Sequence, residues 1–202
     1  VQMSLCDQAH EIREHAAGRL AELMKAQLAE LNFLDVEFEI AVQRMEEPGA
    51  DGADDVEFLI STNPGESLKP LGRIASGGEL SRVMLAIKTV LADQDAIETV
   101  IFDEIDTGIS GITAGKVGDR LRLIGKSRQV ICITHLPQIA ATADHHFLIR
   151  KKAEGTSVRT DVEMLDEAAS VEELARLLGG ANVTERVMES AKELKELAKC
   201  ER

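Results

Sequence analysis

The 202-residue sequence is 44% hydrophobic and 29% charged, the makeup of a soluble globular chain with one sizeable core or two small ones. Its formal net charge of −13 disfavours broad contact with a nucleic-acid backbone, because such binding runs on Lys and Arg neutralising phosphates. No apolar run approaches the roughly 18 residues of a membrane span and the start, VQMSLCDQAHEIREHAAGRL, carries no signal pattern, so a cytoplasmic protein with no membrane partner is expected.

With 2% aromatic residues and neither Trp nor Tyr, the core must be aliphatic. Cys6, Cys132 and Cys200 are scattered, without the pairing of a zinc site or disulfide framework, and Cys132 reads as a small core residue.

Residues 1–32 hold no Pro and one Gly, and Ile12, Ala16, Leu20, Leu23, Leu28 and Leu31 recur at spacings of three to five. That predicts a long amphipathic helix, either a domain cap or the end of a coiled coil. Val36, Phe38, Ile40 and Val42 then alternate with polar residues, a strand with one wet face; VEFLIST is a second strand beyond an acidic turn, EEPGADGADD. After a loop comes a helix over Gly77–Ala92, with Leu80, Val83, Met84, Ile87 and Leu91 as its buried stripe. TVIFDE and QVICITH are short apolar runs flanking a helix over Ile112–Ile124, the pattern of parallel strands buried by helices. HHFLIRKK and SVRTDVEML form a predicted hairpin. Two helices follow, the first opened by a Ser170/Glu173 capping box and stopped by Gly179-Gly180. Residues 33–202 read as one α/β domain.

The apolar strand TVIF ends in Asp103 and Glu104, and ligands of open α/β sheets bind beyond such carboxyl ends. The second strand ends in Thr134-His135, 31 residues after Glu104, which matches a right-handed strand-helix-strand crossover and brings both ends to one edge. Asp103 is suited to Mg²⁺, Glu104 to deprotonating a water, and His135 to a terminal phosphate. Ser76 and Glu79 make a second capping box, but Gly77-Gly78 in the first helical turn has a cost, roughly 1 kcal/mol each relative to Ala, and bares amides to an anion.

SGGE (76–79), VIFDE (100–104), DTGISG (106–111) and ITH (133–135) stand in the order of the signature, Walker B, D-loop and switch histidine of ABC-type ATPases, and the chain resembles that family. TNPGESLKPLGRIASGGELSRVMLAIK, IFDEIDTGISG and THLPQIAATADHHFLI are most similar to its SMC-like branch in bacterial DNA repair. The resemblance implies that Ser76 and Gly78, with Gly77 and Glu79, meet the γ-phosphate of ATP on a second head. It further implies Asp103 as Mg²⁺ ligand, Glu104 as base, Asp106 at the head-head interface and His135 as the switch. Ala75 and Glu79 depart from the commoner Leu-Ser-Gly-Gly-Gln form, and Glu79 is usual in SMC-like relatives.

A Walker A loop is missing. GITAGKV is one residue short between its glycines and carries Val117 where a hydroxyl must reach Mg²⁺, while in IGKSRQ the first glycine position is Arg120. The resemblance therefore implies the C-terminal lobe of an ABC/SMC-type ATPase head: a mostly parallel sheet flanked by helices, with residues 1–32 as a coiled-coil stub. Expected partners are an N-terminal lobe carrying Walker A, a second head in a homodimer, and DNA held mainly by other parts of a nucleoid-associated protein. The expected cofactors are ATP and Mg²⁺, with the isolated chain inactive. A stand-alone Mg²⁺-dependent phosphohydrolase and a noncatalytic dimerisation module are the alternatives; a transporter subunit fits less well.

Overall fold

The computed structural model describes residues 2–33, 35–74, 76–91, 97–154 and 157–200. Helix α1 (Gln2–Glu30) has 29 residues and is about 44 Å long. It stops where Asn32 takes a left-handed φ of 71° and the Phe33 N–H returns to the Leu28 carbonyl at 3.1 Å, a conformation asparagine tolerates well. Its buried stripe is Ala17, Ala21, Met24 and Leu28, continued by Leu31 just past its end, whereas Ile12 and Leu23 face outward. The helical spacing is as expected, but its phase is set by the elements α1 lies on, β1 and α2, which the local pattern does not reveal.

Strands β1 (Glu37–Gly49) and β2 (Gly52–Ser61) form a long antiparallel hairpin with Gly49 opposite Gly52. Most of the expected acidic turn is therefore strand. The cause is a clamp onto α1: the buried Asp54 carboxylate lies 2.7 Å from His10 Nδ1 and accepts a 2.9 Å bond from Arg13 Nη1, and Arg13 Nη2 also donates to the Asp51 carbonyl. Burial alone would raise the Asp54 carboxyl, but the Arg13 and His10 hydrogen bonds, helped by the Arg44 charge, leave it below its ordinary value. A short strand, β3 (Lys69–Pro70), pairs with β2.

Helix α2 (Gly77–Val90) leads towards β4 (Thr99–Phe102); Ala92, expected as the last residue of this helix, lies outside the described residues. Helix α3 (Gly111–Gly125) then crosses to β5 (Gln129–Cys132), which pairs parallel to β4 with Phe102 opposite Cys132. Val100, Phe102, Val130 and Cys132 pack into the main core. On the other face Ile101 and Ile131 are exposed, so among the described residues the helical cover expected on both faces is present on one. Among the described residues, parallel pairing is confined to β4 and β5, and the other strand pairs are antiparallel. GITAGKV opens α3 and Gly125-Lys126-Ser127 spans its end, so neither is a strand-to-helix loop.

The one-turn helix α4 (Pro137–Ala140) precedes the hairpin β6 (His146–Glu154) and β7 (Ser157–Leu165). Helix α5 (Glu167–Gly179) starts earlier than expected: Asp166 is its N-cap and accepts the Ala169 N–H at 2.8 Å. Ser170 is instead buried with its Oγ 2.9 Å from His146 Nδ1, and Glu173 takes two bonds from Arg176. Gly180 ends α5 at a φ of 63°, as its sequence suggests. Helix α6 (Glu185–Cys200) packs back on α5 and sends buried Lys195 to the Ala141 and Ala143 carbonyls, both at 3.3 Å. Among the described residues no helix is long and apolar enough to cross a membrane.

Candidate active site

Ser76 caps α2 from an extended conformation, its Oγ accepting the Glu79 N–H at 3.4 Å. The Ser76 N-cap read from SGGE is therefore present; Ala75, just before it, lies outside the described residues. The two glycines have a reason inside the lobe. A Cβ on Gly78 would lie 2.8 Å from both the Cβ and the carbonyl oxygen of Thr107, and one on Gly77 would lie 2.5 Å from Glu104 Oε2. Helix α2 is thus seated flush on the turn that follows β4, and at Gly78 the obstacle is backbone that cannot swing aside.

That turn carries the carboxylates. Asp103 and Glu104 are exposed, and Glu104 holds a left-handed φ of 57°, a cost of roughly 1–2 kcal/mol for a residue with a side chain. Hydrogen bonds on every side offset it. The Glu104 N–H donates to Asp103 Oδ1 at 2.9 Å and the Thr107 N–H to the Glu104 carbonyl at 3.0 Å. From α2, Ser81 Oγ donates to the Asp103 carbonyl at 2.8 Å, and Arg82 Nη1 to the Thr107 carbonyl at 2.8 Å, with a longer approach of 3.5 Å to Ile105.

Arg82 is the residue sequence reasoning missed. Gly78, Arg82, Val83, Leu85 and Ala86 are buried, while Leu80 and Met84, expected inside, border an apolar groove against Val100, Ile101 and Phe102. The one available signal was spacing, since Arg82 follows Gly78 by a helical turn and adjoins Val83. Its guanidinium lies over the Phe33 ring, 5.3 Å from the centroid. Burial draws its pKa below the ordinary value, with Glu79 opposing.

The opposite wall is the end of β5. Asp106, only 3% exposed, gathers three groups on one oxygen: Oδ2 accepts from Thr134 Oγ1 at 2.6 Å and from the His135 N–H at 2.8 Å, and lies 2.9 Å from His135 Nδ1. The ends of the two parallel strands are thereby stitched together. Expected at a head-head interface, Asp106 turns its carboxylate into its own lobe, and the His135 ring it holds is 71% exposed. Burial pushes the nearby Cys132 thiol up to about 12, with Asp106 and Asp103 adding to the effect, so this thiol is no nucleophile at neutral pH.

Ser76, Gly77, Gly78, Asp103, Glu104 and His135 therefore border one edge of the lobe. Among the described residues no three His, Cys, Asp or Glu side chains converge on a metal. Mg²⁺ commonly takes one or two carboxylates and completes its shell with phosphate and water, and the exposed Asp103 and Glu104 carboxylates have the chemistry for part of such a site.

DNA repair protein RecN of Halalkalibacterium halodurans is 46% identical over 191 residues, which cover 93% of this chain and 34% of that protein. RecN of Vibrio cholerae is 42% identical over 193 residues, covering 95% and 35%. The chain is homologous to RecN. It spans about a third of the length of these relatives. No family model matches it. Among solved structures, the Smc head domain with a coiled coil and joint from Pyrococcus yayanosii aligns with a TM-score of 0.56 at 21% identity, over 81% of this chain and 29% of that one. The Smc head domain with an extended coiled coil from Pyrococcus furiosus gives 0.52 at 21%, over 82% and 39%. The fold is that of part of an SMC head.

Proposed function

We propose that the chain is the lobe of an SMC-like ATPase head, in a DNA-repair protein, that supplies the signature helix, Asp103, Glu104 and His135 but not the phosphate cradle. The observation that carries this reading is the stitching of the β4 and β5 ends through Asp106, which puts the carboxylate turn and His135 at one edge, beside the N-terminus of α2. Bound Mg²⁺ would neutralise phosphate charge. In this reading Asp103 binds that ion, Glu104 accepts a proton from water at its carboxylate, and His135 faces the terminal phosphate. Ser76 and the Gly77-Gly78-Glu79 turn meet the nucleotide of a second head, and residues 1–32 continue a coiled coil that leads to the Walker A lobe. DNA is held mainly by other parts of the protein, and the chain works at the nucleoid.

A helix N-terminus offers an anion about 0.3–1 kcal/mol when exposed and up to ~2 when partly buried, against about 8 for micromolar affinity. Titration calorimetry of the isolated chain with Mg²⁺-ATP should accordingly show no micromolar site. Adding the Walker A lobe should restore ATP hydrolysis, and Glu104→Gln should reduce what is restored by about 10²- to 10⁴-fold. Tight stoichiometric binding by the chain alone would overturn the reading.

A further inference from the structure

The carbonyls of residues 103–107 all find donors, and the division of labour is regular. The turn satisfies two of them itself, with Thr107 N–H on Glu104 and a longer Ile109 N–H on Asp106 at 3.4 Å. The other three, on Asp103, Ile105 and Thr107, are met by Ser81 and Arg82 of α2. These are the residues that flank the strained Glu104 and its following turn, and a positive φ persists only where the surroundings over-determine it. A buried arginine is an expensive way to satisfy carbonyls unless their position matters, because its charge must leave water. Arg82 also resists replacement by lysine. Its Nη1 reaches both carbonyls while the flat guanidinium face rests on Phe33, and an ammonium has no such face to stack.

We infer that Arg82 and Ser81 are positioning residues that hold Glu104 in its working conformation, so that the helix opened by the signature motif sets the place of the base in its own head. This rests on the ATPase reading above. Its further content is that α2 is shared between two tasks: its first turn meets a nucleotide on the partner head, and its second turn fixes the base that deprotonates the attacking water on its own head. A displacement of α2 at one nucleotide is then delivered to the base at the other through two hydrogen-bonding side chains.

The test is steady-state and single-turnover hydrolysis of Mg²⁺-ATP by the full-length protein, with thermal unfolding of each variant. Arg82→Lys and Arg82→Ala should lower kcat about 10- to 100-fold, as misplacement of a reacting group by an ångström does, with KM for ATP within about twofold. Ser81→Ala, which removes one hydroxyl from a half-buried position, should lower kcat about threefold and keep the fold, so it carries the test if Arg82→Ala does not fold. The decisive readout is the double variant. If Arg82 acts through Glu104, Arg82→Lys should cost nothing further in a Glu104→Gln background, because residues that act as a unit are not additive. A full, additive loss there, or a raised KM with kcat intact, overturns the positioning role. If Glu104→Gln alone leaves turnover unchanged, the ATPase reading itself fails, and that result is distinct.

Discussion

In the β1–β2 hairpin, Phe38, Ile40 and Ile60 are buried in the main core. The corresponding row of the β6–β7 hairpin, Phe147, Ile149, Val158, Val162 and Met164, is 54–68% exposed. The two rows are alike in sequence, since Phe147 faces Met164 and Ile149 faces Val162 across the ladder much as Phe38 faces Ile60. What differs is supply: α1 closes over the first hairpin and clamps its far end through Asp54, while among the described residues nothing closes over the second. Alternation identifies which face of a strand is apolar, but it carries no information about whether this chain provides the cover.

The contrast can be tested in order of expected effect. Phe38→Ala should destabilise the chain by about 3–5 kcal/mol in chemical denaturation, because it empties a site that also packs edge-on against Phe58. A loss below about 1 kcal/mol would show that the first hairpin is no better covered than the second.

A smaller, pH-dependent effect is expected where β6 meets the C-terminal helices. Burial lowers the pKa of His146 from its ordinary 6.5, the Lys195 charge adds to this, and Glu173 opposes it. The folded state therefore binds the proton less readily than the unfolded state. Stability from this site is present above about pH 6.5 and is lost as pH falls through the lowered value. Thermal unfolding at pH 7.5 and 5.5 should show a larger drop for the wild type than for His146→Gln; equal drops would remove His146 as the cause.

The smallest effect belongs to the bare face. Phe147→Ser and Val162→Ser should change stability by no more than about 0.5 kcal/mol and reduce self-association in light scattering. A loss of several kcal/mol would mean that the row is covered after all.

The same distinction explains what was legible in the sequence. The parallel β4–β5 pair, the β6–β7 hairpin, the Ser76 cap and the Gly180 stop rest on local chemistry, and the structure contains each. The extended β1–β2 hairpin was hidden because its far end is held by His10 and Arg13, about forty residues away. Asp166 displaced Ser170 as the cap of α5 because Ser170 is needed opposite His146. The buried face of α2 was misphased for a related reason: Leu80 and Met84 border the uncovered side of β4, and Arg82 enters the core only because Phe33 and the turn carbonyls receive it. The candidate carboxylates and histidine were legible as strand ends. The clamp on them was not, since it depends on side chains whose partners lie more than twenty residues away.

Asp106 also settles a question of tautomers. Its Oδ2 already accepts from Thr134 and from the His135 backbone, and as a carboxylate it can only accept from the ring, so the proton of the neutral imidazole belongs on Nδ1. The exposed Nε2 is then a lone pair rather than an N–H. An incoming oxygen anion would meet a donor there only when the ring carries a second proton, with the buried carboxylate behind it as counter-charge. Asp106→Asn would replace one carboxylate oxygen with an NH2 donor, and with that NH2 turned toward the ring the imidazole would take the other tautomer. The direction in which His135 can exchange a proton with whatever faces it is therefore written by a residue that faces nothing outside.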